Sequence, residues 1–360
     1  MRKKFLFKVS TGLKNLPVVY DWKDLNIGLT EVKQKELTEA QKHRIELIDF
    51  CLIATYDLFM KILNEIKAFL SSAQKPLIAI IGPTASGKTN ISINIAKALN
   101  GEIISTDSRQ IYRHMPISTD VITEEEMQGV PHHMLEIREP DEILSLAEFK
   151  DLALEKIKEI QSRNSIPILV GGTGLYISAI TANYDIPRVP ADEKLRKELE
   201  DQAKEKGNEF VHNKLKELDP ETAANIHPNN LRYVIRAIEI NLNTGETKQD
   251  LQKESDFDVF LVGTSRPREE IYERVNQRVD EQVERGLIDE VKNLIDKGYE
   301  QSLPSMTSLG VKEIIPYIKG EMELEEALEI LRRNTRRYAK RQMTWLRRYD
   351  NVHVVTHDDL

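Results

Sequence analysis

The sequence predicts an α/β fold, a parallel sheet with helices packed on both faces, and three observations carry that expectation. Short apolar runs recur at 77–81, 102–105, 166–170, 259–263 and 352–355. Segments of helical period separate them, the pattern of parallel strands joined by helical crossovers. The third observation is Gly82-Pro83-Thr84-Ala85-Ser86-Gly87-Lys88-Thr89, which matches G-x-x-x-x-G-K-[ST] at each fixed position and lies between the first strand and a helix expected over 91–99.

Residues 1–75 form a lead-in without a phosphate motif. Ile45, Ile48, Leu52, Leu58 and Ile62 fall at helical spacing and predict a helix over 38–70, to which no chemistry is assigned; Trp22 and Phe50 read as packing residues. The run 77–81 is wholly apolar, as a strand covered on both faces should be. In the loop after it, glycines let backbone N–H groups converge on phosphate oxygens at a helix N-terminus. Lys88 adds a point charge there, and the Thr89 hydroxyl suits Mg²⁺.

The strand at 102–105 runs into Asp107-Ser108-Arg109-Gln110, which puts a carboxylate on the same sheet rim as the phosphate loop, where parallel sheets bind ligands. Asp107 could equally cap the segment that follows. The strand at 166–170 ends in Gly171-Gly172-Thr173-Gly174-Leu175-Tyr176, without the acidic residue that many nucleotide hydrolases use for Mg²⁺. Hydrolysis of a γ-phosphate therefore lacks one of its usual parts. Gly171 and Gly172 permit close backbone approach, and Thr173 offers a hydroxyl to the cleft.

Between 185 and 257 the sequence turns charged and helical, with Pro187 and Pro190 at its opening and Asn243-Thr244-Gly245-Glu246 near its close. The expected organisation is an N-terminal extension (1–75), an α/β core (76–184 and 258–360) and a helical insertion (185–257).

A net charge of −8 over 360 residues excludes indiscriminate nucleic-acid binding by the whole surface. Positive charge concentrates in Arg332, Arg333, Arg336, Arg337, Lys340, Arg341, Arg347 and Arg348, with Tyr338 and Trp345 interleaved. At helical spacing these cations line one broad side, which favours a phosphate backbone over a merely solvated helix. The longest apolar candidate, 45–70, is broken by Glu46, Asp49, Asp57, Lys61, Glu65 and Lys67, so no membrane span is expected. The basic start Met1-Arg2-Lys3-Lys4 lacks a signal-peptide cleavage site, and the single cysteine, Cys51, excludes intramolecular disulfides and Cys-cluster zinc sites. Both suit the cytoplasm. His132-His133 reads as structural, because neighbours on an extended segment point to opposite sides.

Taken together, these segments resemble the tRNA dimethylallyltransferase (tRNA isopentenyltransferase) family over residues 76–349. Besides the phosphate loop, the resemblance rests on Asp107-Ser108-x-Gln110-x-Tyr112-Arg113, Gly129-Val130-Pro131-His132-His133 and Val170-Gly171-Gly172-Thr173-Gly174-Leu175-Tyr176. It continues in Ile226-His227-Pro228-Asn229-Asn230, Arg236-Ala237-Ile238-Glu239, Gly286-Leu287-Ile288-Asp289-Glu290-Val291 and Arg336-Arg337-Tyr338-Ala339-Lys340-Arg341-Gln342-x-Thr344-Trp345.

The resemblance implies a P-loop NTPase-like sheet and transfer of a dimethylallyl group from dimethylallyl diphosphate to N6 of adenosine 37, in tRNAs reading codons that start with U. It implies Asp107 as general base, with Thr173 and Lys88 also catalytic. Gly82, Pro83, Thr84, Ala85, Ser86, Gly87, Lys88, Thr89 and Arg236 would seat the diphosphate, with Mg²⁺ at Thr89. Asp107, Ser108, Arg109, Gln110 and Thr173 would face the target nucleotide, flipped out of an anticodon stem-loop. Arg196, Arg232, Arg336, Arg337 and Arg341 would meet RNA backbone, and the enzyme would act as a monomer. Three departures stand out: Tyr233 in place of the usual arginine, Thr119-Asp120-Val121 for Thr-Ala-Lys, and Val311 in Gly310-Val311-Lys312-Glu313. The rival readings are prenyl transfer to free adenine nucleotides, a P-loop nucleotide kinase, and an RNA-binding protein without turnover.

Overall fold

The computed structural model describes residues 58–183, 186–245, 255–349 and 351–355. Six strands form one sheet: β1 (Pro76–Ile81), β2 (Gly101–Ser105), β3 (His132–His133), β4 (Ile166–Gly171), β5 (Asp258–Thr264) and β6 (His353–Val355). Their order is β3-β2-β4-β1-β5-β6, and each pairing is parallel. The register aligns Ile78 with Ile168 on one side and with Phe260 on the other. β1 is therefore central, so the loop that follows it opens in the middle of the carboxyl rim.

The unbroken apolar character of β1 has a direct packing cause. Leu77, Ala79 and Ile81 join a core with Phe149, Ile157, Val279, Ile314 and Leu331, while Ile78 and Ile80 join a second core with Ile91, Ile95 and Phe260. Both faces are thus dry, and each fully buried aliphatic side chain contributes about 1.5–3 kcal/mol. Residues 58–72 are helical, here α1, and Ile62 and Ile66 seal the second core. The expected helix over 38–70 begins outside the described residues, as do Trp22, Phe50 and Cys51.

The remaining helices are α2 (Lys88–Leu99), α3 (Glu124–Met127), α4 (Leu146–Ser162), α5 (Gly174–Thr181), α6 (Glu193–Lys206), α7 (Asn208–Leu218), α8 (Pro220–Asn225) and α9 (Leu231–Thr244). After β5 come α10 (Arg268–Glu284), α11 (Leu287–Asp296), α12 (Val311–Ile318) and α13 (Leu324–Leu346). Helices α6 to α9 bury a separate apolar cluster that includes Leu199, Val211, Leu215, Val234 and Ile238. Gly245 closes α9 in the left-handed conformation at φ 69°, which a glycine adopts without penalty. Glu246, the last residue of the predicted turn, lies outside the described residues.

Strand β3 was not foreseen, because a two-residue strand leaves no periodic signal. Its His133 Nε2 lies 2.7 Å from Glu102 Oε2, and Arg163 donates to both oxygens of the same carboxylate. Those Arg163 hydrogen bonds hold the Glu102 carboxyl down to about 2.

Candidate active site

A cleft of about 790 Å³ opens at the carboxyl rim of the sheet, lined by the phosphate loop, the segment after β2, the segment after β4, and faces of α10 and α13. The loop packs tightly against the end of β5. A Cβ on Gly82 would lie 2.1 Å from Thr264 Oγ1, so only glycine fits there. Ser86, fully buried, donates to the Pro83 carbonyl (2.8 Å) and shares a 2.6 Å hydrogen bond with Thr264 Oγ1. Gly87 then turns left-handed at φ 98° to start α2, whose first-turn amides have no intrahelical acceptor.

Two loop carbonyls, which would repel an anion, and the Thr84 hydroxyl are held by arginines beside α10 and on it. Arg266 Nε donates to Ser86 O (3.2 Å), Arg274 Nε to Ala85 O (2.9 Å), and Arg278 Nη1 to Thr84 Oγ1 (2.9 Å). Burial and then the neighbouring Arg266 depress the Arg274 pKa, the mark of crowded positive charge. Gln342 of α13 completes the frame by accepting the Thr84 N–H at 2.8 Å and donating to Gly172 O at 3.1 Å. It thereby ties the phosphate loop to the turn after β4.

Lys88 Nζ donates back to Pro83 O at 2.8 Å. Burial, with Arg278 adding to it, brings its pKa down to about 8, while Asp107 and Asp120 act in the opposite sense. Asp107 accepts the Arg109 N–H at 2.9 Å. Burial pushes its carboxyl up from the ordinary range, with that hydrogen bond and Lys88 opposing. Asp107 and Lys88 are thus close enough for each to shift the other.

Thr173 is the N-cap of α5, yet its hydroxyl makes no cap hydrogen bond; it accepts the Ser108 N–H at 3.3 Å, beside Asp107. Tyr338 of α13 reaches the same group. Burial and then the Asp107 carboxylate drive the Tyr338 phenol strongly upward, while a hydrogen bond with Thr173 opposes them. Gln110 lines the cleft, but its amide accepts from Ser105 Oγ (2.9 Å) and donates to Asp120 O (2.9 Å), so it is committed to shaping the loop. Arg109 lines the cleft and bonds the Pro304 carbonyl.

Gly171 approaches Thr106 so closely that an added Cβ would meet Thr106 Oγ1 at 2.2 Å and backbone C and O at 2.8 Å. The Thr106 backbone, held just past β2 by its N–H bond to the Val170 carbonyl (2.9 Å), cannot swing aside. Gly171→Ala should therefore destabilise the protein by about 1–3 kcal/mol. Denaturant midpoints check this, and Gly171→Ala in a Thr106→Ala background, which lacks the hydroxyl, should remain destabilising, since the backbone contacts persist.

Two of the expected site residues are engaged within the protein itself. Arg236 does not line the cleft: its guanidinium bonds Glu239 and the Val189 carbonyl. Arg196, expected on RNA, donates to both oxygens of Glu239, at 2.9 and 3.0 Å. The physical reason is Glu239 itself, 0% exposed, a carboxylate whose burial demands cationic partners. Burial pushes that carboxyl up, but hydrogen bonds from Arg196, Arg236 and the Asp192 amide outweigh it and hold it below the usual range. Arg232, by contrast, is exposed, and beside it Tyr233 is 63% exposed.

The basic helix forms as α13, but the cations of its expected broad side divide into paired and exposed ones. Arg332 pairs with Asp280 and Glu325, and Arg336 bonds Asn276 and Glu329. Arg333, Arg337 and Arg341 remain exposed. Arg341, Tyr338 and Trp345 all line the cleft, with Arg341 near the Tyr338 ring (5.7 Å) and Arg348 over Trp345 (4.7 Å). Arg266, Arg274, Arg278 and the bridging role of Gln342 escaped the sequence reading. The i, i+4 spacing of Arg274 and Arg278 was the one available signal.

A parallel sheet with a phosphate loop at its carboxyl rim, an acid facing the loop and a basic aromatic edge define a P-loop-type α/β protein built for chemistry on a phosphate compound. A family model described as IPP transferase matches residues 110–349. The chain belongs to this family. It is 53% identical over 284 residues to a tRNA dimethylallyltransferase of Alkaliphilus oremlandii, covering 78% of this chain and 91% of the relative. A crystal structure of a tRNA isopentenylpyrophosphate transferase from Bacillus halodurans is similar with TM-score 0.60 and 47% identity, covering 79% of this chain and 90% of that one. A eukaryotic dimethylallyltransferase, described as acting on tRNA, aligns with TM-score 0.66 and 27% identity over 79% of this chain and 74% of its own.

Proposed function

We propose that this protein transfers a dimethylallyl group from dimethylallyl diphosphate to N6 of adenosine 37 in tRNAs that read codons starting with U, releasing diphosphate. The names of its relatives support a tRNA prenyltransferase. The single observation that carries the chemistry is the shared cleft of Lys88 on the phosphate loop and the desolvated Asp107. The exocyclic amine attacks the allylic carbon, the carbon–oxygen bond to the diphosphate breaks, and Asp107 takes the proton that N6 gives up. Lys88 and the loop amides carry the charge left on the diphosphate. Thr173, positioned by Ser108 and Tyr338, orients the amine or the leaving group from beside the base.

Thr89 is exposed and lines the same cleft. Mg²⁺ keeps most of its water and leans on substrate phosphates, so one loop hydroxyl fits what it asks of the protein, and Thr89 is the residue that would hold it. When bound, the ion would neutralise charge on the departing diphosphate. The exposed Arg333, Arg337 and Arg341, with half-buried Trp345 beside them, suit a single-stranded RNA loop with a splayed-out base. Among the described residues no helix is long and apolar enough to cross a membrane. We place the reaction in the cytoplasm, carried out by a monomer.

The test is incubation with radiolabelled prenyl donor and bulk tRNA, followed by nucleoside analysis. Label in N6-isopentenyladenosine supports the reading, and label in free nucleotides, or ATP-dependent phosphoryl transfer, sinks it. In the same system, Arg337→Gln with Arg341→Gln should weaken tRNA binding and lower the slope of log affinity against log salt by about one per lost phosphate contact. Arg336→Gln, a residue already paired within the protein, should do less.

A further inference from the structure

A carboxylate sits inside this anion-binding cleft. Asp120 Oδ2 lies 2.8 Å from Arg278 Nη1, and its Oδ1 lies 3.7 Å from Arg285 Nη1. Each oxygen thus faces a different guanidinium, as two oxygens of a bound phosphate would. Arg278 also donates to Thr84 Oγ1 on the phosphate loop, so the arginine pair adjoins the first anion seat.

The position of Asp120 is imposed by its backbone. Its φ of 55° is left-handed, a conformation that aspartate tolerates better than most residues. Its N–H donates to Ile117 O, and its carbonyl accepts from Gln110 Nε2. The preceding turn is pinned in its turn: Glu290 accepts the Ile117 and Ser118 amides at 2.7 and 2.8 Å, and Gln282 donates to Ile117 O at 2.8 Å. The carboxylate is consequently delivered to the arginines by a rigid loop.

We propose that Arg278 and Arg285 form a second seat for a substrate phosphate group, and that the Asp120 carboxylate fills it in the free protein and is displaced when substrate binds. Displacement is cheap. The side chains of Asp120, Arg278 and Arg285 are 37%, 31% and 41% exposed, and ion pairs this open to water are weakly held. Asp120 therefore tunes affinity, since it neutralises the seat without closing it. This inference rests on the transfer reading, and the phosphate belongs either to the donor diphosphate or to the RNA backbone beside the flipped nucleotide.

The test is calorimetric titration of full-length protein with inorganic pyrophosphate and, separately, with an anticodon stem-loop RNA. Asp120→Asn keeps the shape and the left-handed backbone but removes the competing charge. It should tighten one of the two ligands by about three- to fivefold, from the weak exposed pair that it frees. Adding Arg285→Gln should erase that gain, a coupling that a merely structural role would not produce. Tightening of pyrophosphate assigns the seat to the donor, and tightening of RNA assigns it to the backbone. Asp120→Gly, which the same backbone accepts, should repeat the result if the Asn variant is unstable.

If wild-type protein binds pyrophosphate through Lys88 and neither Asp120 variant changes either ligand, the second seat is wrong and the transfer reading stands. If wild-type protein binds neither ligand, the transfer reading falls and the second seat with it.

Discussion

Asp107→Asn should lower the rate of prenyl transfer by roughly 10²–10⁴-fold while leaving donor binding almost unchanged. The amide keeps the size of the carboxylate and can still accept the Arg109 N–H that now orients it at 2.9 Å. What it loses is the capacity to take a proton from N6. Because burial raises the Asp107 pKa, the base becomes ionised, and therefore active, at a higher pH than an ordinary aspartate. The rate of the wild-type enzyme should rise with pH through that raised value and then level off. Single-turnover rates across the acid range, with donor affinity measured in parallel, provide the check. Undiminished turnover in the Asn variant would remove Asp107 from the mechanism.

Lys88→Ala should weaken donor binding by about 10- to 100-fold, the range expected for losing a charge-assisted hydrogen bond of roughly 1.5–3 kcal/mol, and should slow transfer as well. The wild-type protein adds a pH signature. With a pKa brought down to about 8, Lys88 in the free protein loses its charge as pH rises through that value, well before an exposed lysine would. A bound diphosphate favours the charged form, so donor affinity should be flat below about pH 7 and fall above pH 8, with protons taken up on binding. Linkage has the opposite sign for folding. Between about 8 and the ordinary value of 10.5 the unfolded chain holds more protons than the folded one, so the contribution of Lys88 to stability improves as pH rises across that window. Calorimetry of donor binding in buffers of different ionisation enthalpy, for wild type and Lys88→Ala, tests both points. A pH-independent affinity would contradict the placement of Lys88.

Why the strands, the phosphate loop and Asp107 were legible in the sequence is a matter of range. Each is specified by its immediate neighbours: the apolar run of β1, the glycines that follow it, the acid two residues past β2. Arg274 and Arg278 are different, because what they hold lies far upstream in the chain, and nothing local announces it. Gln342 stood inside a recognisable motif, but its two partners, Thr84 and Gly172, belong to separate loops that only the folded sheet brings together. The pairing of Arg196 and Arg236 with Glu239 was not legible for the complementary reason. Their partner Glu239 is buried, and burial is a tertiary property that a charged letter in a helix does not reveal. The same holds for α13, where spacing put the cations on one broad side and only partners from α10 and the first turns of α13 itself decided which of them were spent.

The single amide of Gln342 has a practical consequence for anyone altering this molecule. Under the proposed function, the helix that would present cations to RNA is tied by this side chain to the loop that would hold the donor, so changes made for one partner are expected to alter affinity for the other. By thermodynamic reciprocity, whatever factor the first ligand imposes on the second is returned in full. Variants selected for a different nucleic acid should therefore be screened for their grip on the donor from the outset.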